Sequence, residues 1–503
     1  MSILLAALLV GCSSESPDSV ATQLIVDAVI YDGSGGEPVQ ADLRFNTTTG
    51  RIVEIGDLTG TAGETLIDAD GLALAPGFID LHSHHDSEYS TFRHMPGVLS
   101  QGVTTIVRGV DGASEHGAVA EFNALFAASP AAVNIASLSS HNEIRAQVMG
   151  GDYRRHATAE EIEAMGALVA ADMEAGAIGL STGLEYEPGI YSSTEEVIEL
   201  ARVAARFGGI YHSHIRDEDD RIFEAVDEVL SIGLEAGLPV HITHIKLADR
   251  FFWGLTAELL SRLDAARETG IRATADIYPY ERWASNLAVL FPERDYTDRA
   301  AGEIALERSA TAEDILITHY PANPEFAGMT VEDIASKTNR DVVTTLLELA
   351  GEADQHRRET GDDSGVIARS MNEADIVAFM QWPYMSIGSD GWHGDHPRGY
   401  GSFPRVLGRF VRERGVISLA GAIHKMTGLN ADAIGVADRG RIVVGNFADL
   451  VLFDADTIVD NATMRSPTEL STGVDRVWVN GRLAFEGGKS TDTFAGRIVS
   501  HSR

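Results

Sequence analysis

Short apolar runs that end in polar residues recur along most of this chain, separated by stretches of helical periodicity. The clearest, residues 78–86, reads Phe78-Ile79-Asp80-Leu81-His82-Ser83-His84-His85-Asp86, with Pro76-Gly77 punctuating the run before it. Side chains at i and i+2 leave a strand on one face, so a buried strand here delivers His82 and His84 together from its carboxyl end. Comparable runs end at Gly109, Ser139, Leu184, His214, His244, Tyr280 and Asp390. Eight β-like runs alternating with helices over residues 74–431 predict an α/β fold, a (β/α)8 TIM-like barrel. The helix over residues 194–207 illustrates the alternation, with Ser193 or Thr194 as cap and Glu195-Glu196 at its positive end.

The pattern changes at both ends. Residues 23–31 alternate apolar and polar, then turn at Asp32-Gly33-Ser34-Gly35-Gly36, and two further short strands follow near residues 51–56 and 65–69. A matching β region returns at residues 448–454 and 476–481. Together, residues 22–73 and 432–503 predict one small β-sandwich built from both chain ends. Residues of about 281–370 exceed a single β/α connection and predict an inserted lid.

Composition narrows the partners. A formal charge of −36 over 503 residues repels nucleic acid and anionic membrane surfaces, and lysine occurs only at 246, 337, 425 and 489. Residues 3–10 form an apolar stretch that runs into Leu9-Val10-Gly11-Cys12 and then a polar segment, the pattern of a bacterial lipoprotein signal, with no Lys or Arg ahead of the apolar run. Residues 1–21 are therefore expected to be signal and tether, with Cys12 the lipidated residue and the protein held in the cell envelope, facing the periplasm or exterior, by that anchor alone. Cys12 is the only cysteine, which excludes disulfides and thiolate metal ligands from the mature fold.

A lone His-x-His is more often a core or surface pair than a metal site. Here His212 and His214 close one run, His241 and His244 another, and Ile387-Gly388-Ser389-Asp390 a third. The residue nearest each strand end reaches the barrel mouth, where this fold gathers its chemistry, which selects His214 and His244 over His212 and His241. With His82, His84 and Asp390 they make a constellation for metal-assisted hydrolysis, in which Asp390 can both ligate and move a proton.

These motifs resemble those of the amidohydrolase superfamily, and within it the N-acyl-D-amino-acid deacylases, or D-aminoacylases. The resemblance runs from residue 22 onward through PGFIDLHSH, QGVTTIV at 101–107, GLSTGLEY at 179–186, HIRDE, THIK, DIYPY at 276–280, IGSDG, HPRGYGSFPRVLG at 396–408 and ADLVLFD. It implies one or two zinc ions on His82, His84, His214 and His244, with Asp390 as catalytic carboxylate. Where that family commonly carries a Cys after QGxTT, this chain has Gly109-Val110-Asp111-Gly112, and no lysine precedes Lys246 to supply the superfamily's carboxylated lysine. Asp111 is the first candidate for the bridging ligand and Glu185 the second; Asp111 as a plain turn residue is the competing reading. The resemblance further assigns Lys246, Tyr280 and Arg398 to the substrate's carboxylate. Hydrolysis of N-acyl-D-amino acids or related small acylated amino acids is the expected activity. A dipeptidase needing a free carboxylate is the nearest rival, and a non-catalytic surface lipoprotein that binds acylated amino acids is the rival from another class.

Overall fold

The computed structural model describes residues 21–501; the expected signal and Cys12 lie outside them. Eight parallel strands close a barrel. In chain order they are Phe78–Asp80, Val103–Arg108, Asn134–Ser137 continued by Ser139–Ser140, Gly179–Gly183, Ile210–His214, Val240–Ile242, Ala273–Ile277 and Met385–Ile387. Parallel ladders join each strand to the next, the third doing so through its two pieces. A parallel bridge between Ser83 and Gly391 joins the eighth to the first. Nearly every strand position is buried, as expected when helices cover the outside and side chains fill the inside.

Four of these strands end two or more residues earlier than the apolar runs predict: at Asp80 rather than His84, at Ile242 rather than His244, at Ile277 rather than Tyr280, and at Ile387 rather than Asp390. The chain leaves the ladder there to present polar residues at the mouth. The helix Thr194–Arg206 begins on Ser193, whose side chain accepts from the Glu196 amide. Glu196 does more than complement the helix dipole, because its carboxylate is buried against both Arg145 and His141.

The strands of the two chain ends belong to one nine-stranded hydrogen-bonded sheet. Its seam is the antiparallel pair Ala73–Pro76 with Leu450–Phe453. Leu43, Phe45, Leu74, Leu452 and Trp478 fill the core it encloses. The last described strand, Ile498–Val499, pairs instead with Ile135–Ala136 of the barrel.

Between the seventh and eighth barrel strands, Arg282–Ser285, Gly365–Arg369 and Ile315–His319 form a three-stranded antiparallel sheet. Helices including Val342–Thr360 complete it around its own apolar core of Trp283, Ile315, Leu346 and Ala368. This insertion stands over the barrel mouth. Among the described residues, no helix is long and apolar enough to cross a membrane.

Candidate metal centre and substrate pocket

Four side-chain atoms converge just beyond the first, second and eighth strands. His82 Nε2 lies 3.3 Å from His84 Nε2 and 3.0 Å from Asp111 Oδ2. His84 Nε2 lies 3.2 Å from the same Asp111 oxygen, and Asp390 Oδ1 is 3.4 Å from both imidazole nitrogens. Ligands placed tetrahedrally at about 2.0–2.1 Å around zinc are about 3.3–3.4 Å apart, so these spacings match a set gathered around one ion. Burial pulls the His84 imidazole down, but hydrogen bonds to Asp111 and Asp390 outweigh it and carry its pKa up to about 10. The two carboxylates demand a positive charge at this point, which a divalent cation supplies.

A second pair of histidines stands beside the first set. His214 Nδ1 approaches His244 Nε2 to 2.9 Å, and that His244 nitrogen lies 3.9 Å from Asp111 Oδ1. Asp111 Oδ1 is buried and has no hydrogen-bond partner. One Asp111 oxygen therefore meets the His82–His84 set while the other faces the His214–His244 set, which places this carboxylate between two histidine pairs. Its backbone sits in the left-handed region at φ 55°, as do His244 at 33° and Asp390 at 49°. Such conformations cost about 1–3 kcal/mol each and collect at functional sites. Gly112 follows at φ 69° where a Cβ would come 2.3 Å from Asn142 Oδ1, so the turn that aims Asp111 admits only glycine next to it.

Glu185, the alternative bridge, is placed elsewhere: its Oε2 meets the far nitrogen of His214 at 2.7 Å. Glu218 does the same for His244, with Oε1 2.9 Å from Nδ1. Carboxylates behind ligating imidazoles fix their orientation and raise their basicity. His241 is tied to Asp276 at 2.8 Å, and Asp276 also accepts from the His244 amide. His212 is buried, stacks on His241, and neither ring nitrogen has a partner; with His82 and Asp276 it brings ligand-type atoms within 4.8 Å of one another, deeper in the barrel. Asp80 holds the site's floor, accepting from the Ser389 amide and hydroxyl and from the His82 amide.

An inner pocket beside the histidines contains Lys246, Tyr278 and Arg398. The Lys246 ammonium donates to both oxygens of Glu218 at 2.5 and 2.6 Å. Arg398 Nη1 lies 2.7 Å from Asp390 Oδ2, close enough for an ion pair, yet its Nε and Nη1 are buried without an aligned acceptor. The Tyr278 hydroxyl is likewise buried without a partner, and burial pushes its pKa up to about 12, so it stays a donor. Burial alone would raise the Asp390 carboxyl, but Arg398, His82 and His244 outweigh it and hold the group well below the usual range. Tyr280 does not enter this pocket. Its hydroxyl is 3.5 Å from the Pro397 carbonyl and its ring packs edge-on against His396. The strand stops at Ile277 and Pro279 turns the chain, so the alternation that puts Tyr280 on the face of Asp276 and Tyr278 is lost two residues before it.

The sequence matches an amidohydrolase family model over residues 65–374 and 384–485. The chain belongs to the amidohydrolase family. This amidohydrolase is 35% identical to the D-aminoacylase of Alcaligenes xylosoxydans xylosoxydans over 97% of this chain and 99% of that one. Its structure superposes with a TM-score of 0.84 on a D-aminoacylase solved to define the role of its binuclear metal centre, at 34% identity and covering 95% of this chain and 99% of that one. A TM-score of 0.83, at 34% identity and the same coverage, relates it to N-acyl-D-glutamate deacylase from Bordetella bronchiseptica complexed with zinc and a phosphonate that mimics the tetrahedral intermediate. Zinc fits the donor set of this amidohydrolase: imidazoles and carboxylates, no thiolate, and a carboxylate oxygen left without a donor between two histidine pairs.

Glu218 and Tyr278 are the residues that inspection of the sequence left without a role. Glu218 stands in HIRDE, where the acidic pair looks like a helix lead-in, and only Lys246, two residues past His244, hinted that a buried counter-charge was needed.

Proposed function

We propose that this protein hydrolyses N-acyl-D-amino acids to a carboxylic acid and a free amino acid. The observation that carries the reading is a pair of buried donors without acceptors, Arg398 Nε and the Tyr278 hydroxyl, in the pocket that opens on the histidine–aspartate centre. Unpaired buried donors are costly, and a substrate carboxylate satisfies them together. The preference for the D form follows the relatives rather than the geometry.

His82, His84, Asp111 and Asp390 would hold a first zinc ion, and His214 and His244, which the other Asp111 oxygen faces, would hold a second. Zinc, when bound, polarises the acyl carbonyl and brings water's pKa towards neutrality. Asp390, ionised and fixed by Arg398, takes a proton from the attacking water. Oxygen adds to the acyl carbon, the C–N bond breaks, and the same carboxyl returns the proton to the departing nitrogen. Lys246, Tyr278 and Arg398 hold the amino acid's carboxylate meanwhile. The acyl group extends the other way, into an outer cleft of about 550 Å³ between the mouth and the inserted subdomain.

The test is amine release by the zinc-loaded protein from N-acetyl-D-, N-acetyl-L- and carboxyl-amidated amino acids, with a dipeptide set beside them. Turnover confined to the free-acid D series is expected; equal rates on amidated substrates overturn the carboxylate clamp. Attachment to the cell envelope through Cys12 is proposed on the residue pattern at 3–16 alone, and labelling with a radioactive fatty acid before and after Cys12→Ser tests it.

A further inference from the structure

The N-acyl-D-glutamate deacylase among the relatives places an acidic side chain within this family's reach, and the inner pocket here has its own charge balance. Glu185, Glu218, Asp219 and Asp390 line it, against Lys246 and Arg398. Three of those carboxylates are committed: Glu185 to His214, Glu218 to Lys246 and His244, and Asp390 to Arg398 and the first histidine pair. Asp219 is different. Its Oδ2 accepts from the Ser309 hydroxyl at 3.0 Å, and no ion pair reaches it among the described residues.

Its position is built rather than incidental. The Asp219 amide donates to Asp217 Oδ1 at 2.9 Å, which fixes the turn after the His214 strand. Ser309 comes from the inserted subdomain, so the contact spans barrel and insertion. The cations nearby are already used: Arg308 pairs with Asp249 and reaches Asp220 at 3.7 Å, while Arg294 donates to the carbonyls of Ala288, Phe291 and Glu185. Burial, with Glu185 and Asp217 close by, pushes the Asp219 carboxyl well above its usual range. A cation arriving there relieves that crowding, and a second anion worsens it.

On the deacylase reading, which this step rests on, the α-carboxylate and the side chain leave the same carbon. The side chain therefore starts beside the carboxylate on Lys246, Tyr278 and Arg398, where the inner pocket adjoins the outer cleft at Ala284, Ser285 and Arg398 and Asp219 lines the inner wall, while the acyl group lies across the scissile bond. We infer that Asp219, steadied by Ser309, is a specificity-determining residue that selects N-acyl-D-amino acids with a positively charged side chain and disfavours acidic ones. The stem of such a side chain lies along Val289 and Leu290, which line the same pocket.

The experiment compares kcat/KM of the zinc-loaded protein for pairs matched in length: N-acetyl-D-lysine against N-acetyl-D-norleucine, and N-acetyl-D-ornithine against N-acetyl-D-norvaline, with N-acetyl-D-glutamate as the acidic member. The charged partner is expected to win by about tenfold or more in at least one pair, the scale of a charge-assisted hydrogen bond, with glutamate last. Asp219→Asn should shrink that ratio at least fivefold, and Asp219→Arg should move the preference to glutamate. A role in folding alone would leave the ratio where it was. Neutral partners equal or better at both lengths, or glutamate ahead, overturn the inference, and this wild-type comparison holds whether or not a variant folds. Turnover of neutral substrates with no preference for charge overturns the inference and leaves the deacylase reading standing. No turnover of any member overturns both.

Discussion

Around His82 and His84 the carboxylates stand in front of the rings, whereas around His214 and His244 they stand behind. Asp111 and Asp390 meet the first pair at 3.0–3.4 Å on the same nitrogens that face each other. Glu185 and Glu218 take the outward nitrogens of the second pair, at 2.7 and 2.9 Å. The first half is thus a charge-rich cage; the second is a pair of oriented imidazoles that depends on Asp111 for its anionic ligand. The difference teaches that one carboxylate joins two unlike halves, and that changes to each half should have separable effects on metal content and turnover.

The largest effect belongs to the group that works in the first half and touches the chemistry directly. Asp390→Asn removes both the base and the counter-charge of Arg398, so kcat should fall by about 10²–10⁴-fold, the usual range for losing a positioned acid–base group. Zinc per chain, measured by atomic absorption, should drop by less than it does in His82→Ala. Near-normal turnover in Asp390→Asn would remove this residue from the mechanism.

Asp111→Asn attacks the link itself. Shape is kept and charge is lost, so both halves should weaken, and zinc affinity should fall by more than the roughly 10–100-fold typical of altering groups behind the ligands. Asp111→Cys restores an anionic bridge and should recover zinc. Glu185→Gln sharpens the contrast from the other side: a loss of about 10–100-fold in affinity confined to one of the two ions, with the first half still loaded. Equal loss at both positions would mean that the halves are not independent.

Much of this was legible before the structure, and for a physical reason. Parallel barrel strands are buried on both faces, so their apolar runs and polar ends mark the mouth directly, and His82, His84, His214, His244 and Asp390 all come to it. The ladder ends were harder to read. The regular ladders stop at Asp80, Ile242, Ile277 and Ile387 because the residues that follow turn towards the site, and His244, Asp111 and Asp390 do so through left-handed backbone that alternation does not encode. Glu218 was hidden for a different reason. Its role exists only once Lys246 and His244 are folded against it, and no local pattern separates it from the acidic residues on either side.

The carboxylate clamp joins the two halves a second time, since Arg398 leans on Asp390 of the first and Lys246 on Glu218 of the second. Arg398→Ala should lower kcat/KM for free-acid substrates by about ten- to a hundred-fold, equivalent to about 1.5–3 kcal/mol for a charged hydrogen bond. Arg398→Lys should rescue little, because two of the fork's donors act together. The amidated substrate should lose far less, and an equal loss on both would assign Arg398 to Asp390 alone.

The smallest effect separates two tyrosines that sequence alternation puts on one face. Tyr278 presents a buried, unpartnered hydroxyl to the pocket, with the Arg398 guanidinium 4.7 Å from its ring centre. Tyr280 packs against His396 and Arg405, its hydroxyl 3.5 Å from the Pro397 carbonyl. Removing a hydroxyl that bonds a carboxylate costs about 1.5–3 kcal/mol at the upper end, whereas one at the limit of hydrogen-bond distance from a carbonyl gives up little. Tyr278→Phe should therefore raise KM about tenfold for the free acid and leave the amidated substrate nearly unaffected, because only the former offers the phenol a charged acceptor. Tyr280→Phe should change neither by more than about twofold, since a 3.5 Å contact carries almost no hydrogen-bond energy. Steady-state kinetics of the two variants on the two substrates decide the matter, and a KM rise in Tyr280→Phe with none in Tyr278→Phe would return the carboxylate to the residue that the family resemblance assigns and move the clamp out of the inner pocket.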